Sequence, residues 1–186
     1  WFGNRLQNLS GGTPSVYMRK TSEPQSWLTK GELEIRNGVL DWLSVILTSI
    51  QRERIKRVLF TTPDGDQLKL TYDTTFERFE IENLPKNREI KSRFQLLNVG
   101  IILENLLLQD VRPAQLIIDP KLGEALWETK DGLIINLSLA SDKTTNKLWA
   151  SISATIKSNA SEKVKKEAAK IQLRTEGWEF WLGEAT

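Results

Sequence analysis

Between Lys147 and Ile156 every second residue is apolar: Leu148, Ala150, Ile152, Ala154 and Ile156. A period of two puts all five on one side of an extended strand, and no helix tolerates that spacing on a single face. The stretch Leu133 to Ala140 alternates in the same way through Leu133, Ile135, Leu137 and Leu139, and Asp131-Gly132 turns the chain into it from a short strand at Ala125 to Thr129. Earlier in the chain, Ile55 to Thr62, Gln67 to Tyr72 and Arg78 to Glu82 form a comparable series, with Pro63-Asp64-Gly65-Asp66 as the first turn. Each series is followed by a helical stretch. One runs from about Glu89 to Leu108, with Phe94, Leu97, Ile101 and Leu108 on one face, and is expected to be largely buried. The other runs from about Ser161 to Arg174, with Val164, Ala168 and Ile171 as a narrow inward stripe ended by Gly177.

Strand-strand-strand-helix is thus expected twice, in units spanning 54–110 and 123–184 and some 65 to 70 residues apart. The fold class that follows is α+β: antiparallel meander sheets with helices packed on one face. The 186 residues are expected to form a single domain, residues 1–186. Nearer the start, Val16 to Lys20 and Ser26 to Leu28 read as short strands joined around Ser22-Glu23-Pro24. Asn37-Gly38 reads as a turn, and Asp41-Trp42-Leu43 as a short helix with Trp42 and Leu43 inward. Trp178 to Leu182 reads as a final strand. Because the sequence opens at Trp1 rather than Met, an excised fragment is expected.

Composition narrows the chemistry. The chain has no Cys and no His, which rules out thiolate nucleophiles, disulfides, Cys/His zinc sites and His-based triads. Its 26 Lys+Arg nearly balance 24 Asp+Glu, which argues against a dedicated nucleic-acid binder. The basic cluster Lys163, Lys165, Lys166 and Lys170 reads as a solvated helix face. The apolar run Val99 to Leu108 is too short to cross a bilayer. Asp64-Gly65-Asp66 has the oxygen ligands of a calcium loop, but strand alternation resumes at once and a turn is expected. The carboxylates Asp41, Asp64, Asp66, Glu80, Glu82, Glu124, Glu128 and Asp131 offer no pair that the pattern brings into one pocket, so no catalytic residue, metal site or cofactor is expected. Ser10-Gly11-Gly12-Thr13 lacks the lysine of a P-loop and reads as a connection. The triplets at Asn8, Asn136 and Asn159 read as chance matches to the glycosylation pattern, Asn136 within a strand.

Seven Trp remain to be placed. Trp27, Trp42, Trp178 and Trp181 sit within apolar patterns and are expected in the core. Trp127 and Trp149 are the candidate partner-binding residues. Trp149 falls opposite Leu148, Ala150 and Ile152, among Ser151, Ser153 and Thr155, and is expected to be exposed.

An ordered series of segments carries a resemblance. It comprises Ser15 to Lys20, Glu23 to Leu28, Leu40 to Leu43, Glu53 to Ile55, Asn83 to Pro85, Arg88 to Ser92, Asp110 to Ala114 and Gly177 to Phe180. This series resembles the carboxy-terminal part of a bacterial family termed domain of unknown function 4340. The resemblance implies a membrane-anchored extracytoplasmic (periplasmic) protein, anchored through a segment outside this chain and encoded near gliding-motility-type ABC transporters. It also implies a protein partner, a transporter or auxiliary subunit. The family brings no catalytic residues, and its recurring positions, here Trp27, Trp42, Arg112 and Pro113, read as core and turn determinants. Trp181-Leu182-Gly183 departs from the family's charged tail. The expected function is noncatalytic protein binding, with a glycan- or peptidoglycan-binding module built on Trp127 or Trp149 as the alternative.

Overall fold

A computed structural model of the chain describes residues 2–6, 13–31, 38–82, 84, 87, 89–90, 92–114, 121–142 and 147–182. The Ser10–Gly12 connection, Asn37, Asn83, Pro85, Arg88, Lys91 and Gly183 lie outside the described residues, as do the side chains of Phe94 and Leu97. Two compact units divide the chain, residues 1–42 and 43–186, where the sequence led us to expect one span.

The first unit is an antiparallel sheet of β1 (Phe2–Leu6), β2 (Ser15–Arg19) and β3 (Ser26–Lys30), followed by a 3-10 turn at Val39–Trp42. Both expected strands and the short helix form. However, Trp27 and Trp42 are not core residues: they are 57% and 67% exposed, and Trp178 of the second unit, expected in the core with them, is 45% exposed. Among the described residues of the first unit, only the 3-10 turn accompanies the three five-residue strands, and a sheet of that size buries few side chains by itself.

The second unit holds β4 (Ile46–Thr48), β5 (Ile55–Thr61), β6 (Gln67–Asp73), β7 (Arg78–Ile81), α1 (Arg93–Ile101), β8 (Leu106–Leu107) and β9 (Asp110–Pro113). It continues through β10 (Lys121–Thr129), β11 (Leu133–Ser141), β12 (Leu148–Ile156), α2 (Glu162–Thr175) and β13 (Trp178–Trp181). Eight strands form one antiparallel sheet in the order β7-β6-β5-β10-β11-β12-β13-β9, and β4 pairs with β8 separately. The architecture is mostly antiparallel sheet with two helices, broadly α+β.

The first helix is shorter than its sequence suggested. Ser92 caps it by accepting a hydrogen bond from the Gln95 N–H, but it stops at Ile101 and the chain turns through 102–105 into β8. The polar pair Glu104-Asn105 inside the apolar run marks that break. Leu103, Leu106 and Leu108 are buried, whereas Ile101, Ile102 and Leu107 are exposed, so the stretch is only partly covered. The second helix forms as expected, capped by Ser161 and burying Val164, Ala168 and Ile171.

The hairpins share one register. In β5–β6, Val58 faces Leu70, Leu59 faces Lys69 and Phe60 faces Leu68. Adding 67 to each number gives Ala125–Leu137, Leu126–Asn136 and Trp127–Ile135, which are the pairs of β10–β11. The turns agree as well: Gly65 and Gly132 both hold φ at 90°, a conformation that costs any residue with a Cβ. The third strands follow with a shift of 71, since Tyr72–Phe79 corresponds to Leu139–Ala150. Ladder register places Val58, Leu70, Tyr72, Phe79, Trp127, Ile135, Leu137, Ala150, Ile152 and Phe180 on one face, and all of them are buried.

Candidate functional site

Neither candidate tryptophan lies on the surface. Trp127 is 2% exposed and Trp149 is 6% exposed. Trp127 projects from the core face of β10. Its ring meets Phe60 edge-on at 6.1 Å between centroids, and its Nε1–H donates to the Val99 carbonyl of α1 at 3.1 Å.

Trp149 does occupy the polar face that alternation assigned to it, but that face is covered at this edge. It lies opposite Trp181 of β13, and Glu179 of β13 lies opposite Arg112 of β9. The Arg112 guanidinium stacks over the Trp149 ring at 4.3 Å while donating to Glu179 at 2.7 Å and Asp142 at 3.3 Å. Beside it, Lys147 lies 4.2 Å from the Trp181 ring and pairs with Asp110 at 3.3 Å. Sequence reasoning missed this cap because β9, a four-residue edge strand ending at Pro113, has no apolar period to announce it. The indole Nε1–H of Trp149 is buried with no partner among the described residues.

Two of the candidate carboxylates, Glu128 and Asp131, line one polar pocket, where Arg57 and Lys157 hold the first and Arg54 the second. Glu80 binds Arg78 at 2.7 Å, Glu82 accepts from the Thr71 hydroxyl, and Glu124 pairs with Lys121. Glu128 is 2% exposed and is held by Arg57 and Lys157. Burial pushes its carboxyl up, but the Lys157 hydrogen bond and the Arg57 charge outweigh that and hold it below the usual range. Asp131 behaves alike: burial raises it, and the Thr129 hydroxyl and Arg54 lower it further than burial raises it. Asp64-Gly65 forms the expected turn, with Gly65 N–H donating to the Thr62 carbonyl. Among the described residues no group of three or more metal-ligating side chains comes together, and no helix is long and apolar enough to cross a membrane.

An apolar groove of about 690 Å³ lies on the core side of β5, β10 and β11. Phe60, Trp127, Leu137 and Leu139 come from the sheet; Ile102, Leu106 and Leu107 come from the segment after α1; Leu122, Leu148 and Leu182 complete the lining. Four of these, Ile102, Leu107, Leu122 and Leu148, are exposed large apolar side chains. The groove's polar lining is Thr61, Thr62, Asn105, Gln109 and Glu124, and among the described lining residues no Lys or Arg occurs. Volume, apolar walls and a few polar groups are what a binding cleft requires. The signal was present in the run Ile101 to Leu108, which is too apolar for the short, half-exposed segment that it forms.

Comparison with known proteins adds nothing to this geometry: no family model matches the chain, and no curated protein or solved structure matches it.

Proposed function

We propose that this chain is a noncatalytic binding domain that takes an apolar segment of a partner protein into the groove formed by Phe60, Trp127, Leu137, Leu139, Ile102 and Leu107. The observation that carries the reading is the groove itself, about 690 Å³ with exposed leucines and an isoleucine at its rim. Unfilled, those side chains present apolar surface to water at about 25 cal/mol per Å², and a complementary segment recovers that free energy. The missing His and Cys side chains agree with a binding role. The resemblance noted above supplies a context for the partner: an ABC-transporter or auxiliary subunit, met outside the cytoplasm by a membrane-anchored protein.

The test is pull-down of the full-length protein from membranes, beside the variant Leu107→Asp/Leu148→Asp. Recovery of a transporter or auxiliary subunit that the variant loses supports the reading. Equal recovery by both proteins sinks the groove's role, and recovery of neither subunit by the unaltered protein sinks the partner.

The finer architecture belongs to the same proposal. The units spanning 54–110 and 123–184 are two versions of one strand-strand-strand-helix unit, with both helices on the core face. Shared register in six strands, the matched glycine turns and the serine caps at Ser92 and Ser161 support this. So do the contact of Trp127 with α1 and the burial of Val164, Ala168 and Ile171 on α2.

A further inference from the structure

We propose a second site, independent of the groove: the polar pocket at the start of α2 binds an oxyanion of the phosphate class. Lys56 of β5, Lys130 of the β10–β11 turn and Lys157 after β12 line one pocket of about 350 Å³ together with Asn159 and Ser161. Three separate segments thus bring ammonium groups to one place.

The two carboxylates in that lining are already neutralised, largely from outside it. Glu128 is bound by Arg57 at 2.6 Å as well as by Lys157, and Asp131 is bound by Arg54 at 2.9 Å. Arg54 also holds Glu167 at 2.7 Å. Lys56 and Lys130 have no carboxylate ion-pair partner among the described residues. Lys130 lies 5.3 Å from the Tyr72 ring, and Glu53, whose carboxyl it helps to lower, is itself paired with Arg52 at 2.9 Å. Within the lining, Lys56, Lys130 and Lys157 face Glu128 and Asp131, a surplus of one positive charge, and Arg54 and Arg57 bind those two acids from outside it. The amino end of the 14-residue α2 adds its partial positive charge, offset in part by Glu162 of its first turn, which pairs with Lys165 at 2.7 Å.

The scaffold does not need these cations. Under the 67-residue shift, Lys130 corresponds to Pro63 and Lys56 to Gly123, and both hairpins keep the same register. The ligand class follows from the donors. Lysines without an arginine in the lining act as point charges, which suit a tetrahedral oxyanion better than a planar carboxylate that favours a guanidinium fork. The volume admits a phosphate monoester as well as the bare ion.

Inorganic phosphate titrated into the whole chain by calorimetry at low salt tests the site, with phosphatidylcholine vesicles, with and without phosphatidylglycerol, as a second arm. The variant Lys56→Gln/Lys130→Gln alters two exposed side chains. Lys166→Gln/Lys170→Gln removes the same charge from the exposed face of α2. Affinity should fall about tenfold in the first variant and hold in the second. Loss of phosphate binding without any vesicle binding assigns a free phosphorylated molecule. Loss of phosphatidylglycerol-dependent vesicle binding in the first variant assigns a lipid headgroup. Unchanged binding in the first variant, equal loss in both, or no binding of either probe by the unaltered chain would overturn the proposal.

Discussion

Leu59 and Leu126 face each other across the β5–β10 ladder, and theirs is the pair that the 67-residue shift maps onto itself. On either side, the Val58–Trp127 pair exchanges with Ala125–Phe60, and Arg57–Glu128 exchanges with Glu124–Thr61. The middle of the eight-stranded sheet is therefore locally two-fold, with its axis at these two leucines. Phe60 and Trp127, which meet edge-on, are mates under the same operation.

Trp127 and Trp149 should answer differently to the same substitution. Trp127→Phe removes the hydrogen bond to the Val99 carbonyl and should cost about 1–3 kcal/mol. Trp149→Phe deletes a buried donor that has no partner among the described residues and keeps a ring under Arg112, so its cost should stay within about 1 kcal/mol. Urea unfolding of both variants checks this, and equal midpoints would count against it.

Gly100 is required by close approach. A Cβ there would lie 2.6 Å from the Phe79 ring and 2.9 Å from the Arg52 Cβ. Gly100→Ala should lower stability by about 1–3 kcal/mol through overpacking, even though alanine favours helix. Gly100→Ala/Phe79→Leu should recover part of that loss, and a double variant no more stable than the sum of the singles would contradict the contact.

Acid should weaken the second unit through Glu128 and Asp131. Both carboxyls are held below their ordinary values in the folded chain. Their contribution is thus present above the unfolded values near about pH 4 and is lost as pH falls through the lower folded values. Urea midpoints measured downward from neutral pH should fall in that window. Glu128→Gln should start lower at neutral pH and fall less steeply; a slope as steep as the parent's would remove Glu128 from the account.

Arg112 holds the sheet's β9 edge through two acids and an aromatic ring at once. Lysine cannot reproduce that planar, multidirectional contact, so Arg112→Lys should cost about 1–2 kcal/mol. It should also raise amide exchange in β9 more than in β5, and uniform exchange across the sheet would argue against an edge-specific role.

Much of the sheet could be read from residue order because its information is local. Alternation in Gln67 to Tyr72 and Leu133 to Ala140 fixes which side chains share a face, and Asp-Gly turns fix where strands reverse. What escaped was non-local. Nothing near Trp149 announces that Arg112, 37 positions earlier, will cover it through an intervening strand. The run after Val99 carried helix-compatible hydrophobicity, and only the pair Glu104-Asn105 betrayed the break that opens the groove. Trp27 and Trp42 look like core residues by type, but type says nothing about whether a second layer exists to receive them. The lysine pocket was invisible for the same reason: its three cations come from segments that only the β5–β10 and β10–β11 ladders bring together.

The joint at Leu59 and Leu126 has a further consequence for assembly. Each three-stranded meander on its own would leave the backbone of its first strand open, a template for pairing with another chain. Joining β5 to β10 closes both open sides against each other inside one polypeptide, leaving β7 and β9 as the outer strands of the sheet. An encounter that separate halves could make only at sufficient concentration thus becomes an intramolecular event, and its strength does not fall on dilution.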